Sequence, residues 1–124
     1  MSRDQAAGPA AGTAKIAIAG PGHVGVTLAY ACLIRGTGKT IALYGRNAEK
    51  VRAEVADLQH GLQFVPMATV AGSDDVEVCR DADVVVLTAG VPFRPGRRRL
   101  DLAASRSAGT CCRGCWRSRR ARCW

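Results

Sequence analysis

Three glycines close an apolar run with a spacing that suits phosphate binding. Residues 15–19 read Lys-Ile-Ala-Ile-Ala, and Gly20, Gly22 and Gly25 follow as G-x-G-x-x-G. Gly20 permits a tight turn, Gly22 lets the backbone approach a pyrophosphate, and Gly25 lets a helix pack close to its strand. The free N–H groups at the start of that helix attract an anion. The pattern therefore predicts a dinucleotide site if a strand precedes it and a helix follows.

Strand and helix patterns alternate along the chain around these glycines. The predicted strands are residues 15–19, 40–44, 67–71 and 83–88. The predicted helical segments run from about His23 to Gly36, over 48–59 with Asn47 as N-cap, and as a short turn over 74–80. This order predicts an α/β fold, a Rossmann-type doubly wound parallel sheet that is incomplete, with the first four strands only and disordered ends. Ligands of such a sheet bind outside the carboxyl ends of its strands.

The formal charge of +8 divides unevenly along the chain. Residues 1–93 hold eight basic and nine acidic side chains, whereas residues 94–124 hold ten arginines and one acid. We therefore expect a disordered arm over 1–14, a partial dinucleotide-binding domain over 15–104 and a basic Cys/Arg-rich tail over 105–124. No apolar run reaches the roughly 20 residues of a membrane helix, and no secretion leader is evident, so we expect a cytoplasmic chain without a membrane partner.

The basic tail has three interpretations. Arginines beside tryptophan suit a nucleic-acid arm, and Cys112 and Cys115 have the C-x-x-C spacing of a thiolate metal site. The third is a wrong-frame translation: GC-rich codons for residues 110–116, read one nucleotide earlier, give Leu-Leu-Pro-Arg-Leu-Leu and an Ala-type codon. We rank the frameshift first, nucleic acid second and the metal site third, because a single C-x-x-C is a weak signal.

Several further motifs resemble one family when they are taken together with the glycines. They are residues 20–25 (GPGHVG), 57–61 (DLQHG), 81–92 (DADVVVLTAGVP), 95–96 (PG) and 99–102 (RLDL). Over residues 15–104 the chain resembles the amino-terminal, NAD-binding half of L-lactate and malate dehydrogenases. The resemblance implies an NAD-dependent oxidoreductase that transfers hydride between a 2-hydroxy acid and nicotinamide, and a homo-oligomer. Because the pattern fails after about residue 104, we expect this chain to be inactive, truncated and frameshifted there.

The resemblance also assigns roles to individual residues. Gly20, Gly22 and Gly25 would line the pyrophosphate, and Thr88, Ala89 and Gly90 would lie beneath the cofactor near its nicotinamide ribose. The expected cofactor-binding set is Gly20, Gly22, His23, Val24, Gly25, Gly45, Arg46, Thr88, Ala89 and Gly90. His23 and His60 match no catalytic histidine of the family, and we interpret both as non-catalytic.

Three departures from the family pattern bear on chemistry. Gly45 stands where the family usually carries the acid that binds the adenosine ribose, and Arg46 follows it, so NADP is an alternative to NAD. Phe93 stands at the position that reads the far end of the substrate, which favours apolar 2-oxo acids. Arg99 matches the loop arginine that polarises the substrate carbonyl, but the catalytic histidine and second arginine are missing. The alternative function is a non-enzymatic nucleotide-binding module or an Arg-rich nucleic-acid-binding module.

Overall fold

A five-stranded parallel sheet forms the centre of the fold, in a computed structural model that describes residues 14–90 and the backbone of residues 122–123. The strands are β1 (Lys15–Ala19), β2 (Thr40–Tyr44), β3 (Thr69–Ser73), β4 (Val84–Leu87) and β5 (Arg122–Cys123). The helices are α1 (His23–Arg35) and α2 (Ala48–Gly61), with 3-10 turns at Leu62–Phe64 and Val76–Cys79. The expected α/β parallel sheet is therefore confirmed.

The strand order is β3-β2-β1-β4-β5, so the direction of winding reverses beside β1. The chain passes outward from β1 through β2 to β3 and then returns to pair β4 with the other side of β1. Where the strand order of a parallel sheet reverses, a crevice opens at the carboxyl ends of the neighbouring strands, here β1 and β4. The strand order alone therefore determines where a ligand cleft lies in this fold.

The two faces of the sheet differ in side-chain size. Ile16 and Ile18 of β1 join Ile41 and Leu43 of β2 on the face covered by α1 and α2. The alternate residues, which include Ala17 and Ala42, belong to a second buried cluster with Cys79, Ala82 and Val85. Because successive residues of a strand point to opposite faces, this large-small alternation directs the bulk of the core toward the helices.

Local signals set most of the helix ends. Gly36 ends α1 in the left-handed conformation (φ 62°), as expected for a glycine C-cap. The Asn47 side chain accepts a hydrogen bond from the Lys50 N–H at the start of α2, which confirms the predicted N-cap. At its other end α2 runs to Gly61, two residues beyond the predicted 48–59, and passes into a 3-10 turn.

Three strands differ from the sequence expectation. The difference is smallest for β4, which occupies Val84–Leu87 rather than residues 83–88. β3 occupies Thr69–Ser73 rather than residues 67–71, because its register aligns Thr69 with Thr40 of β2 and leaves Met67 exposed. β5 is a fifth strand that the sequence did not predict, and it runs parallel to β4 with Val84 opposite Arg122. Ala14, assigned to the expected disordered arm, accepts a hydrogen bond from the Lys39 N–H. Residues 1–13 and the rest of the predicted tail lie outside the described residues.

One substitution made at two positions tests where the core lies. Ile18 of β1 is fully buried, whereas Ile34 of α1 is 62% exposed. We expect Ile18→Val to lower the free energy of unfolding by about 1 kcal/mol through the lost methylene, and Ile34→Val to change it by less than about 0.5 kcal/mol. Urea denaturation of both variants measures the difference. Equal losses at the two positions would contradict this assignment of the core.

Candidate functional site

A cleft of about 220 Å³ opens where β1, β2 and β4 end. Its walls come from the turn after β1, the start of α2 and the residues that follow β4. The lining residues are Gly20, Pro21, Gly22, Gly45, Arg46, Asn47, Lys50, Thr88, Ala89 and Gly90. The cleft therefore lies in the crevice that the strand order creates.

Hydrogen bonds between strand ends form the floor of this cleft. The Gly20 N–H donates to the Tyr44 carbonyl at 2.9 Å, which joins the turn to β2. On the other side, the Thr88 N–H donates to the Ala19 carbonyl at 2.9 Å, and the Thr88 hydroxyl donates to the Gly20 carbonyl at 2.8 Å. The turn after β1 is thus held from both neighbouring strands, and the backbone around it is fixed in place.

Two glycines of the motif are required by close packing. Gly20 has φ 102°, and a Cβ there would lie 2.5 Å from the Ala89 nitrogen. A Cβ at Gly25 would lie 2.5 Å from the Gly20 carbonyl oxygen and 2.7 Å from Thr88 Oγ1. All three distances are far below van der Waals contact, so these positions admit no side chain while the turn and α1 keep their places.

Gly22 differs, because a Cβ there would meet nothing within 4 Å. No packing among the described residues therefore explains a glycine at this position, which lines the cleft at the N-terminus of α1. That terminus has no side-chain cap and no acidic residue in its first turn. Exposed amides at the positive end of a helix, with open space before them, fit an anionic group such as a pyrophosphate.

The opposite wall carries the charge of the cleft. Arg46 and Lys50 line it from either side of the Asn47 N-cap, and no acidic residue is among the lining residues. Gly45 at the end of β2 is buried, and a Cβ there would lie 2.7 Å from Pro21 Cγ and Cδ. The cleft thus offers backbone amides at one end and two cationic side chains at the other.

Most of the residues expected to bind the cofactor come together in this cleft. The exceptions are His23 and Val24, which are exposed in the first turn of α1, and Gly25, which is buried under that turn. Pro21, Asn47 and Lys50 line the cleft but were not predicted to do so. Lys50 has the sequence pattern of a solvated helix residue. The signal that could have found it is its place in the first turn of α2, which begins near the carboxyl end of β2, where ligands of such sheets bind. Phe93 and Arg99 lie outside the described residues.

Other reactive groups of the described residues are not arranged for catalysis. Burial raises the pKa of the Cys32 thiol, which disfavours the thiolate that nucleophilic chemistry needs. Asp57 and His60 are exposed near the end of α2 and do not line the cleft. Within residues 14–90 no cluster of His, Cys, Asp or Glu could hold a metal ion. The same residues contain no helix long and apolar enough to cross a membrane.

Fold and cleft together define a dinucleotide-binding α/β domain. Residues 14–108 match the family described as lactate/malate dehydrogenase, NAD binding domain, and the chain belongs to that family. An L-lactate dehydrogenase of Bifidobacterium animalis subsp. lactis is 55% identical over 91 residues, which are 73% of this chain and 28% of that protein. The chain thus spans well under half the length of this relative.

Solved structures of the family share the architecture. The minor L-lactate dehydrogenase of Enterococcus mundtii, in a ligand-bound form, matches with a TM-score of 0.65 and 38% identity over 73% of this chain and 29% of that one. The malate dehydrogenase of Plasmodium falciparum matches with a TM-score of 0.64 and 32% identity over the same shares. The expected resemblance to both lactate and malate dehydrogenases, and to their NAD-binding part, is therefore confirmed.

Alanine at two glycines of the motif separates packing from ligand access. We expect Gly25→Ala to lower the free energy of unfolding by about 1–3 kcal/mol because of overpacking, although alanine is the better helix former. We expect Gly22→Ala to lower it by less than about 1 kcal/mol, because the new methyl group meets open space and only a modest N-cap preference is lost. Urea denaturation of the two variants gives both values. A loss at Gly22 as large as that at Gly25 would contradict the open space assigned to it.

Proposed function

We propose that the whole protein transfers hydride between a 2-hydroxy acid and a nicotinamide dinucleotide, and that the described residues supply its cofactor-binding part. The observation that carries the proposal is the open space at Gly22 beside an uncapped helix start. Membership of the lactate/malate dehydrogenase family supports the same reaction class. The alternative of an Arg-rich nucleic-acid-binding module is not favoured, because the family match covers residues 14–108.

The residues of the cleft fit such a cofactor. Gly20 and Gly22 would bring the backbone against the pyrophosphate, and the first amides of α1 would donate to its oxygens. Thr88, Ala89 and Gly90 would lie on the nicotinamide side, where the Thr88 hydroxyl is already engaged with the Gly20 carbonyl. When bound, the nicotinamide ring accepts or gives the hydride. The chain's own contribution here is to bind and orient that ring.

Substrate recognition is proposed for residues beyond the described part. Arg99 would polarise the carbonyl of the 2-oxo acid, and Phe93 would face the far end of the substrate. An aromatic ring cannot hydrogen-bond a second carboxylate, so Phe93 favours apolar 2-oxo acids over oxaloacetate. The roles of both residues follow from the resemblance, as does assembly into a homo-oligomer.

The coding of residues 110–124 bears on whether a catalytic half follows. Cysteine and tryptophan codons all begin with TG, and cysteine codons end in C or T. In the frame that starts one base earlier, a codon made of the last base of a cysteine codon and the next TG is CTG or TTG, and both encode leucine. Such codons arise at three places: Cys111 with Cys112, Cys115 with Trp116, and Cys123 with Trp124. The codons before Cys111, Cys115 and Cys123 become leucine, methionine or valine whatever the codon choice. These apolar positions do not depend on any assumed codon usage.

In this other frame, the apolar positions are spaced as in one face of a helix and then as in a buried strand. In the first stretch they fall at i, i+1, i+4 and i+5, which is the period of one face of a helix. A second apolar pair coincides with β5. This strand pairs in parallel with β4, in which Val85 is fully buried. Apolar residues are typical of a buried parallel strand, whereas Arg122 is not. We propose that residues 105–124 are translated off-frame.

Sequencing the gene from the codon of Pro95 to several hundred bases beyond that of Trp124 tests the frame. We expect one inserted or deleted base, after which the reading frame continues through an apolar helix and strand to an Asp, an Arg and a His. Mass spectrometry of the protein from its own cells provides an independent check. Detection there of a tryptic peptide containing Cys111, Cys112 and Arg113 would contradict the proposal.

Binding of reduced dinucleotides to the 124-residue chain tests the cofactor site. We expect NADH or NADPH fluorescence to report saturable binding, and Gly22→Ala to weaken it by about tenfold or more, because the added methyl group occupies the space that the pyrophosphate needs. Gly61→Ala is the matched control, since a Cβ at Gly61 meets only Tyr30 at ordinary contact distance. Unchanged binding by Gly22→Ala, in a variant that denatures like the parent chain, would refute the proposed site.

A further inference from the structure

The wall of the cleft at the start of α2 carries two cationic side chains. Arg46 and Lys50 are both exposed and both line the cleft. They are four residues apart and flank the Asn47 N-cap, which holds the first turn of α2 in place through the Lys50 N–H. Cationic side chains on either side of a helix start form a typical site for a phosphate.

No carboxylate of the described residues neutralises these two cations. The ion pair within residues 14–90 joins Arg80 to Glu77, and neither residue lines the cleft. Of the acids nearest along the chain, Glu49 lies on α2 but is not a lining residue. Asp75 follows β3, and its carboxylate accepts from the Glu77 N–H. The charge of Arg46 and Lys50 is therefore available to a ligand.

Pro21 makes the lack of an acid at position 45 a property of the fold. A Cβ at Gly45 would lie 2.7 Å from two atoms of the Pro21 ring and 2.9 Å from Val51 Cγ2. Both Pro21 and Gly45 are buried, so a side chain at position 45 would have to displace packed atoms. An aspartate or glutamate would bind the ribose hydroxyls of NAD and repel a 2′-phosphate, but its Cβ would collide with the proline ring and with Val51 unless they moved.

We propose that this cleft recognises the 2′-phosphate of NADP(H), with Arg46 and Lys50 as its cationic ligands and Pro21 keeping position 45 free of a carboxylate. The inference rests on the proposed dinucleotide site and adds its selectivity. NAD(H) enters the same cleft but leaves the two cations without a partner. The preference thus comes from a favourable contact with one cofactor rather than from a barrier against the other.

Isothermal titration of the 124-residue chain with NADP⁺ and NAD⁺ tests the selectivity. We expect the Kd for NADP⁺ to be about tenfold lower, and this ratio to shrink as NaCl is raised, because exposed charges are screened. Adenosine 2′,5′-bisphosphate should bind more tightly than adenosine 3′,5′-bisphosphate, which has the same charge in a different place. This second comparison separates recognition of the 2′-position from general attraction to a basic chain.

Single substitutions assign the effect to the two cations. We expect Arg46→Ala and Lys50→Ala each to raise the Kd for NADP⁺ about fivefold to tenfold and to change that for NAD⁺ less than about twofold. Arg52→Ala removes an exposed charge from the same helix outside the cleft and should change neither value. A Kd for NAD⁺ equal to or below that for NADP⁺ would overturn the inference and leave the dinucleotide site standing. Failure of both cofactors to bind would overturn the site itself.

A double variant tests the role of Pro21. Gly45→Asp alone should shift the urea midpoint to lower concentration, because its Cβ collides with the proline ring. Adding Pro21→Ala removes those ring atoms, so the double variant should regain part of the lost midpoint and should bind NADP⁺ about tenfold more weakly than the parent. If Pro21→Ala restores none of the midpoint lost by Gly45→Asp, the proline does not exclude the acid and that part of the inference falls.

Discussion

The contact between the turn after β1 and the end of β4 is the constraint on which the site depends. The Thr88 hydroxyl binds the Gly20 carbonyl, and the spaces where Gly20 and Gly25 would carry a Cβ are filled by Ala89, Thr88 and the turn itself. No methyl group can be added there without moving α1 or β4. Because interiors pack at crystal-like density, this contact fixes the start of α1 relative to the sheet. The position of α1 in turn determines the direction in which the first backbone amides of that helix point.

The two walls of the cleft present different kinds of group. At α1 the cleft presents backbone amides, which cannot be changed by a single side-chain substitution and which suit the pyrophosphate common to all such cofactors. At α2 it presents the side chains of Arg46 and Lys50, which single substitutions can change. In the proposed site, the contacts common to all dinucleotides would therefore be made by the backbone, and the selective contacts by exposed side chains at the other wall.

Much of the fold could be predicted because local signals agreed with tertiary packing. Gly36 and Asn47 fix helix ends through backbone conformation and a cap that act over a few residues. β3 was misplaced by two residues because Gly72 and Ser73 have weak strand propensity, and their place is set by pairing with β2. The glycine motif located the cleft, but Lys50 resembled any solvated lysine until the fold put it beside Arg46. Contacts between distant segments carry no local signal.

The contact between Pro21 and Gly45 shows how packing between distant segments determines the side chains at the wall of the cleft. The two residues are 24 positions apart in the sequence, and only the sheet brings the turn after β1 against the end of β2, through the hydrogen bond from the Gly20 N–H to the Tyr44 carbonyl. That bond sets how closely the two turns approach, and the proline ring then fills the space that a side chain at position 45 would need. A residue with no polar group of its own therefore limits which side chain can stand at position 45. The charge of this wall is, in the first place, a consequence of packing.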